Sequence, residues 1–200
     1  MERKLVFASV NSFWVAGVDE AGRGPWAGPV VAAAVILDPE KPIFGLADSK
    51  KISEKKREAL YEPIFLSACS VGVGVVSAED IDRTNILKAT FQAMRQAIQN
   101  LKSLPSEIWV DGNQSIPGIE SQRTFVGGDA LHECIMAASI VAKVYRDRLM
   151  CEYDQLYPGY EFSKHKGYGT ATHIQKLQSL GPCPIHRMSF VPLKAFSKSD

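Results

Sequence analysis

The chain has 200 residues, 46% of them hydrophobic and 22% charged, with 23 Lys and Arg against 22 Asp and Glu. That length suits one domain with a substantial core, and the near-neutral balance excludes a basic surface spread over the whole molecule, so any basic track must be local. The cysteines Cys69, Cys134, Cys151 and Cys183 form neither a C-x-x-C pair nor a Cys/His zinc spacing, no segment reaches the ~20 apolar residues of a membrane span, and the apolar run Leu5 to Ala8 is too short for a signal peptide, so a reducing, cytoplasmic location is expected.

In chain order, Val15 to Asp19 is a short apolar strand. A Gly/Pro loop follows it, and then "VVAAAVIL", Val30 to Leu37, reads as a buried strand. Ser53 and Glu54 open a helix expected to end at Pro63. Cys69 to Ala78 is β-branched and glycine-dotted, which predicts a strand with a possible bulge. Leu87, Phe91, Met94, Ile98 and Leu101 lie on one face of a helix spanning Thr84 to Leu101. "SEIWVDGN" is a strand ending in a turn at Asp111-Gly112, and Gln122 to Val126 is a further short strand. Leu131 to Tyr157 is a long helix, apolar around much of its first half. Beyond Pro158 come a basic, aromatic loop "SKHKGYGT", a helix from about Ala171 to Leu180 and a Pro-rich tail. Strands interleaved with helices predict an α/β sheet of mixed direction.

The stretch "GVDEAGRGPWAG", Gly17 to Gly28, admits two readings. Gly22, Gly24 and Ala27 fit G-x-G-x-x-A, a relaxed dinucleotide fingerprint. That motif needs a helix after the loop to present its N-terminus to the pyrophosphate. Here the loop leads into a valine-rich strand, and Asp19 and Glu20 add negative charge, so the nucleotide reading fails. The other reading makes Asp19 and Glu20 metal ligands. Consecutive strand side chains face opposite ways, so the two converge on one ion only if the strand ends and twists there. Asp111 closes the "IWV" strand and Asp129 precedes the long helix; carboxylates gathered from separate elements repel, and a hard divalent cation compensates them. On pattern alone, Asp111-Gly112 is equally an ordinary turn, Asp129 equally a helix cap, and Asp19-Glu20 equally a solvated loop.

The sequence resembles ribonuclease HII, the type 2 ribonucleases H, along almost its whole length. The matching stretches are "GVDEAGRGPWAGPVVAAAVIL", "DSKKISEKKRE", "VDGN", "GGDALHECIMAASIVAKVYRD", "YPGYEFSKHKGYGT" and "PIHRMSF". The resemblance implies a ribonuclease H-like fold, a mixed five-stranded sheet flanked by helices, over residues 1–160. A small C-terminal helical segment, 161–200, would pack on it and contribute to the substrate site. It implies a monomeric, metal-dependent endonuclease acting on RNA/DNA hybrids and on DNA containing ribonucleotides. Asp19, Glu20, Asp111 and Asp129 would bind two Mg²⁺ or Mn²⁺ ions. The family often carries a lysine two residues before the last of these acids, where this chain has Gly127. Gly22, Arg23 and Gly24 would read the ribose 2′-hydroxyl, and Tyr168 would stack on the following sugar. Ser49, Lys50, Lys51, Ser139, Lys143, Lys164 and Lys166 are phosphate-contact candidates. His132, His165, His173 and His186 show no metal-ligand spacing, and His186 is expected to pack or bond locally. The last residues hold no sliding-clamp motif. A binder without hydrolysis has no use for four acids facing a polyanion; a junction resolvase or type 1 enzyme would not need the Gly-Arg-Gly loop and its tyrosine.

Overall fold

The computed structural model describes residues 14–196; the expectations for residues 1–13 and 197–200, including the short apolar run and the chain's last four positions, lie outside it. Five strands form one sheet: β1 (Val15–Ala21), β2 (Val30–Ile36), β3 (Ser70–Val76), β4 (Glu107–Asp111) and β5 (Gln122–Phe125), in the order β3-β2-β1-β4-β5. β1 pairs antiparallel with β2 and parallel with β4, β2 antiparallel with β3, and β4 parallel with β5, so the sheet is mixed as expected. The helices are α1 (Glu54–Ser67), α2 (Ala78–Arg83), α3 (Ile86–Gln99), α4 (Glu133–Leu156), α5 (Phe162–His165), α6 (Ala171–Leu180) and α7 (Val191–Lys194).

The central strands are buried on both faces, and the period-2 alternation divides them between two cores. Ala16 and Val18 of β1 with Val30, Ala32, Ala34 and Ile36 of β2 meet Ala89, Ala93, Met94 and Ala97 of α3. Ala33 and Val35 face the other way, onto Leu60 and Ile64 of α1 and Ala137, Ala138 and Val141 of α4. Small residues let both helix layers come close. A Cβ on Gly17 would lie 2.2 Å from the backbone of Cys134, so α4 can rest on β1 only because residue 17 has none.

The packing changes four expectations. β3 carries no bulge: its register with β2 is unbroken from Val30–Val76 to Ile36–Ser70. Its Gly72 and Gly74 instead lie under α3, where Cβ atoms would fall 2.1 and 2.0 Å from the carbonyls of Ala97 and Ala93. α1 runs through Pro63 to Ser67, because Ile64, one residue on, is fully buried and holds the last turn against the core while the proline faces solvent. Ser77 caps the short α2 rather than extending the strand, accepting from the Asp80 N–H. The loop after Pro158 and the Pro-rich tail each contain a single helical turn, α5 and α7.

Replacing Gly17 with Ala is expected to destabilise the protein by ~1–3 kcal/mol or more, the range for overpacking a core. Urea unfolding should show a lower midpoint at an unchanged slope.

Candidate active site at the ends of β1 and β4

Because Val18 pairs with Val110 across the parallel β1/β4 ladder, Asp19 and Asp111 stand one step further on, side by side on the α4 face of the sheet. Asp129 comes from the single 3₁₀ turn Gly128–Ala130 that leads into α4. Oxygens of Asp19, Asp111 and Asp129 all lie within 4.8 Å of one another. The Asp129 N–H points at Asp111 Oδ1, 3.4 Å away, which fixes the turn against the end of β4.

Glu20 stands apart from that trio. β1 does not end before it but continues to Ala21, so strand alternation holds and the expected convergence of Asp19 and Glu20 at a strand end does not occur. Glu20 points to the α3 side, beside Leu87, Phe91 and Met94, and Arg23 Nη1 approaches its carboxylate at 3.4 Å. It still lines the cleft that contains Asp19 and Asp111.

Burial and crowding set the protonation of these acids. Desolvation, and then the charges of Glu20 and Asp111, push the Asp19 carboxyl well above the usual carboxylate range. Desolvation also raises Glu20, opposed by the Arg23 guanidinium. The neighbouring Ser139 hydroxyl favours the ionised form of Asp19. Ser139 in turn sits 2.6 Å from the Ser49 hydroxyl, the two sharing a hydrogen bond. Three carboxylates gathered in a largely buried site suit a hard cation: oxygen ligands, high negative charge, and an ionised state that only a positive partner makes favourable. Lys50 supplies part of that compensation, its Nζ lying 2.8 Å from Asp129 Oδ2, and this hydrogen bond raises the ammonium's pKa. Lys50 reaches Asp129 from a loop 79 residues earlier in the chain.

A cleft of about 280 Å³ joins Asp19, Glu20 and Asp111 to Gly22, Arg23, Gly24, Ser49, Lys50, Ser139, Lys143 and Tyr168. Tyr168 is 44% exposed, and a Cβ on Gly24 would touch its Cε1 at 3.8 Å, so ring and loop form one open wall. Gly22 has a different reason for lacking a side chain. Its φ of +97° is left-handed, and a Cβ would collide with the buried Arg146 side chain at 2.1 Å. Lys143 lines the cleft but is held by Asp147 at 2.6 and 2.8 Å, and burial lowers its pKa against that ion pair.

Lys166 does not join the cleft. Its Nζ lies 3.3 Å from Cys151 Sγ and 3.5 Å from Glu54, in a separate hollow along α1 and α4, because Lys166 adopts left-handed backbone and turns its side chain away from Tyr168. Lys164 pairs with Glu161, and Lys51 with Asp48, both on the surface. Sequence reasoning missed Arg57. It lines the cleft, and its Nη1 donates to the Ser49 and Ile52 carbonyls at 2.7 and 2.6 Å. Nothing in the helical pattern of "EKKRE" distinguishes it from its exposed neighbours.

The family model described as ribonuclease HII matches residues 16–192. The chain belongs to the ribonuclease HII family. Ribonuclease HII of Endomicrobium trichonymphae is 56% identical over 188 residues, covering 94% of this chain and 90% of that protein. The crystal structure of ribonuclease H2 from Pyrococcus horikoshii superposes with a TM-score of 0.74 at 27% identity, covering 92% of this chain and 96% of that one. A ribonuclease HIII solved with Mn²⁺ shares the fold at a TM-score of 0.72 and 18% identity, with 93% of this chain covering 70% of that one. Membership makes this chain a type 2 ribonuclease H, a metal-dependent hydrolase. Among the described residues no helix is long and apolar enough to cross a membrane.

A carboxylate whose pKa is raised on folding stabilises the fold when protonated, and that contribution is lost as pH rises through the folded value. Asp19 therefore weakens the metal-free protein as pH rises from about 4 upward. In EDTA, the Tm advantage of Asp19→Asn over wild type should grow between pH 5 and 8. Adding Mn²⁺ should raise the wild-type Tm and leave the variant's nearly unmoved. Melts showing a pH-independent difference would take Asp19 out of the strained cluster.

Proposed function

We propose that this cleft hydrolyses the phosphodiester on the 5′ side of a ribonucleotide, both at single ribonucleotides embedded in duplex DNA and within RNA/DNA hybrids, leaving 3′-hydroxyl and 5′-phosphate ends. The observation that carries the reading is the shared wall of the acid cleft: Gly24 and Tyr168 adjoin one another within reach of Asp19 and Asp111. When bound by Asp19, Asp111 and Asp129, with Glu20 beside them, two Mg²⁺ or Mn²⁺ ions would supply an activated water and offset the charge on the leaving oxygen.

The chain's own residues do the placing. The Gly22-Arg23-Gly24 loop offers backbone groups without a side-chain screen at Gly24, the close approach needed to read a 2′-hydroxyl. Arg23, half exposed and next to Glu20, is positioned to meet a phosphate as well as that carboxylate. The Tyr168 ring presents an exposed apolar face on which the following sugar stacks. Lys50 holds Asp129 in the free protein and sits at the cleft's mouth, where a phosphate can share it. Ser49 and Ser139 orient Asp19 through their paired hydroxyls, and Lys143 contributes positive charge from deeper in the cleft. A local basic wall of this kind fits a molecule whose formal net charge is only +1.

Two measurements check the assignment. If Tyr168 and Gly24 together read the step from ribose to deoxyribose, Tyr168→Ala should cut the rate at a single embedded ribonucleotide about five- to tenfold, the equivalent of ~1 kcal/mol of lost stacking. A continuous hybrid should lose less, whereas Asp111→Asn should abolish both activities alike. Equal losses on both substrates for Tyr168→Ala would show that the ring serves only the fold. For binding to a hybrid, Lys50→Ala should reduce the dependence of affinity on salt by about one phosphate contact. Lys166→Ala, outside the cleft, should leave that slope unchanged.

A further inference from the structure

Three histidines outside the acid cleft lie in mutual contact beneath the Tyr168 loop. His165 on α5 and His173 on α6 stack with centroids 4.4 Å apart and planes 15° from parallel. His173 Nε2 lies 3.0 Å from His186 Nε2, and all three residues are buried. Phe162 packs against all three rings, Trp26 against His173, and Tyr160 against His186. The titratable groups facing the pair are His165, Cys183 and Tyr160.

As neutral imidazoles these rings have one proton arrangement that satisfies their polar partners. The Tyr168 carbonyl, 3.0 Å from His173 Nδ1, can only accept, so His173 carries its proton on Nδ1. Its Nε2 then holds a lone pair, and His186 must present Nε2–H to it. That leaves His186 Nδ1 as an acceptor, which is what the Cys183 N–H at 2.9 Å requires. His165 is settled likewise: Nε2–H donates to the Tyr160 carbonyl at 2.8 Å and Nδ1 accepts from the Gly167 N–H at 3.2 Å. Each ring is satisfied as a neutral imidazole. A proton added to His173 Nε2 would oppose the His186 Nε2–H at 3.0 Å, and one added to His186 Nδ1 would oppose the Cys183 N–H at 2.9 Å and leave only the Cys183 carbonyl, at 3.2 Å, to accept it.

We propose that His186 and His173 form a positioning relay that holds the Tyr168 backbone beside Gly24, so that these histidines set the enzyme's preference for a single embedded ribonucleotide. His173 and His186 are positioning residues, since neither lines the cleft; they act through the Tyr168 carbonyl. The Tyr168 segment is joined to the Gly22–Gly28 loop by the Trp26 N–H donating to the Gly167 carbonyl at 2.8 Å, and the tail beside His186 is joined to the same loop by the Arg187 N–H donating to the Trp26 carbonyl at 2.8 Å. A shift of the Tyr168 backbone therefore moves the ring relative to Gly24, while the acids on β1 and β4 stay where they are. Burial, then the neighbouring histidine for His186, lowers both rings to about 4, so the neutral relay persists through the ordinary working range. This inference rests on Tyr168 contacting substrate as proposed above, and its test separates the two.

The first measurement needs no activity. Long-range ¹H–¹⁵N spectra of the full chain at pH 7 should show His173 as the Nδ1–H tautomer and His165 and His186 as Nε2–H tautomers. A charged His173, or one protonated on Nε2, overturns the relay whatever Tyr168 does. The second compares His173→Phe, which keeps an aromatic ring without a donor, with His173→Asn, whose side-chain amide can donate in place of Nδ1. The ratio of the single-ribonucleotide rate to the hybrid rate should fall about fivefold in His173→Phe and stay within about twofold of wild type in His173→Asn, the difference one hydrogen bond makes. Equal ratios in the two variants, whether both wild-type or both reduced, would overturn the proposal. Should His173→Phe fail to fold, the tautomers and the His173→Asn ratio decide. If Tyr168→Ala itself leaves the ratio unchanged while the tautomers are as stated, the substrate role of the tyrosine fails and the link from relay to preference fails with it, but the proton arrangement stands.

Discussion

Two fully buried guanidinium groups hold together the parts of the molecule that make the cleft. Arg146, from the middle of α4, donates from Nε, Nη1 and Nη2 to the carbonyls of Pro29, Lys166 and Ala27 at 3.0, 3.0 and 3.1 Å. Arg187, from the C-terminal tail, donates to Gly28, Arg23 and Gly22 at 2.9, 3.1 and 2.6 Å. Each spans segments that local structure leaves unpaired: the loop between β1 and β2, the loop before α6, and the tail. Burial, and then the charge of Arg146, pulls Arg187 down to about 9, still a cation at neutral pH. Carbonyl dipoles rather than carboxylates balance these charges. A planar group with five donors in a fixed fork suits that task, and a lysine's single ammonium does not.

That arrangement explains why the Gly22-Arg23-Gly24 loop can be both open and rigid. Its carbonyls point inward to Arg187, its first glycine makes room for Arg146, and its last glycine faces the cleft. The backbone of the loop is thus fixed before any substrate arrives, so ordering it costs little on binding. The acids are fixed by a separate device, the parallel pairing of β1 with β4 and the tight turn at Gly128–Ala130. In the function proposed, recognition and hydrolysis are therefore carried on two frames that meet at one cleft, and a perturbation of one frame need not disturb the other.

The acid cluster stores electrostatic strain in the metal-free protein. Lys50 relieves some of it from outside, reaching Asp129 with a side chain that is itself largely exposed, an ion pair that solvent screens and that a competing phosphate can displace. Deeper in, the Ser49–Ser139 hydroxyl pair and Arg57 hold the floor of the cleft. The Arg57 Nε is buried without a partner among the described residues, while its Nη1 braces the Asp48–Ser53 turn through two carbonyls. The polar groups around the carboxylates are consequently placed by the turn leading into α1 and by α4.

Much of this was legible in the residues alone. Apolar runs, β-branched composition, cap residues and, for the helix after Thr84, helical spacing located all five strands and the three long helices. The family motifs in turn singled out Asp19, Glu20, Asp111 and Asp129. Three things were decided only by the tertiary structure. The divergence of Asp19 and Glu20 depended on β1 continuing past them, which pairing with β2 up to Ala21–Val31 enforces and local propensity does not. The cation beside Asp129 came from Lys50, 79 residues away, a separation that no spacing rule reaches. Arg146, Arg187 and the three histidines read in sequence as a helix charge, a tail charge and scattered rings. Their roles exist only because folding buries them together, where a polar group without a hydrogen-bond partner is too costly to persist, so that each donor must find the one carbonyl or imidazole within its reach.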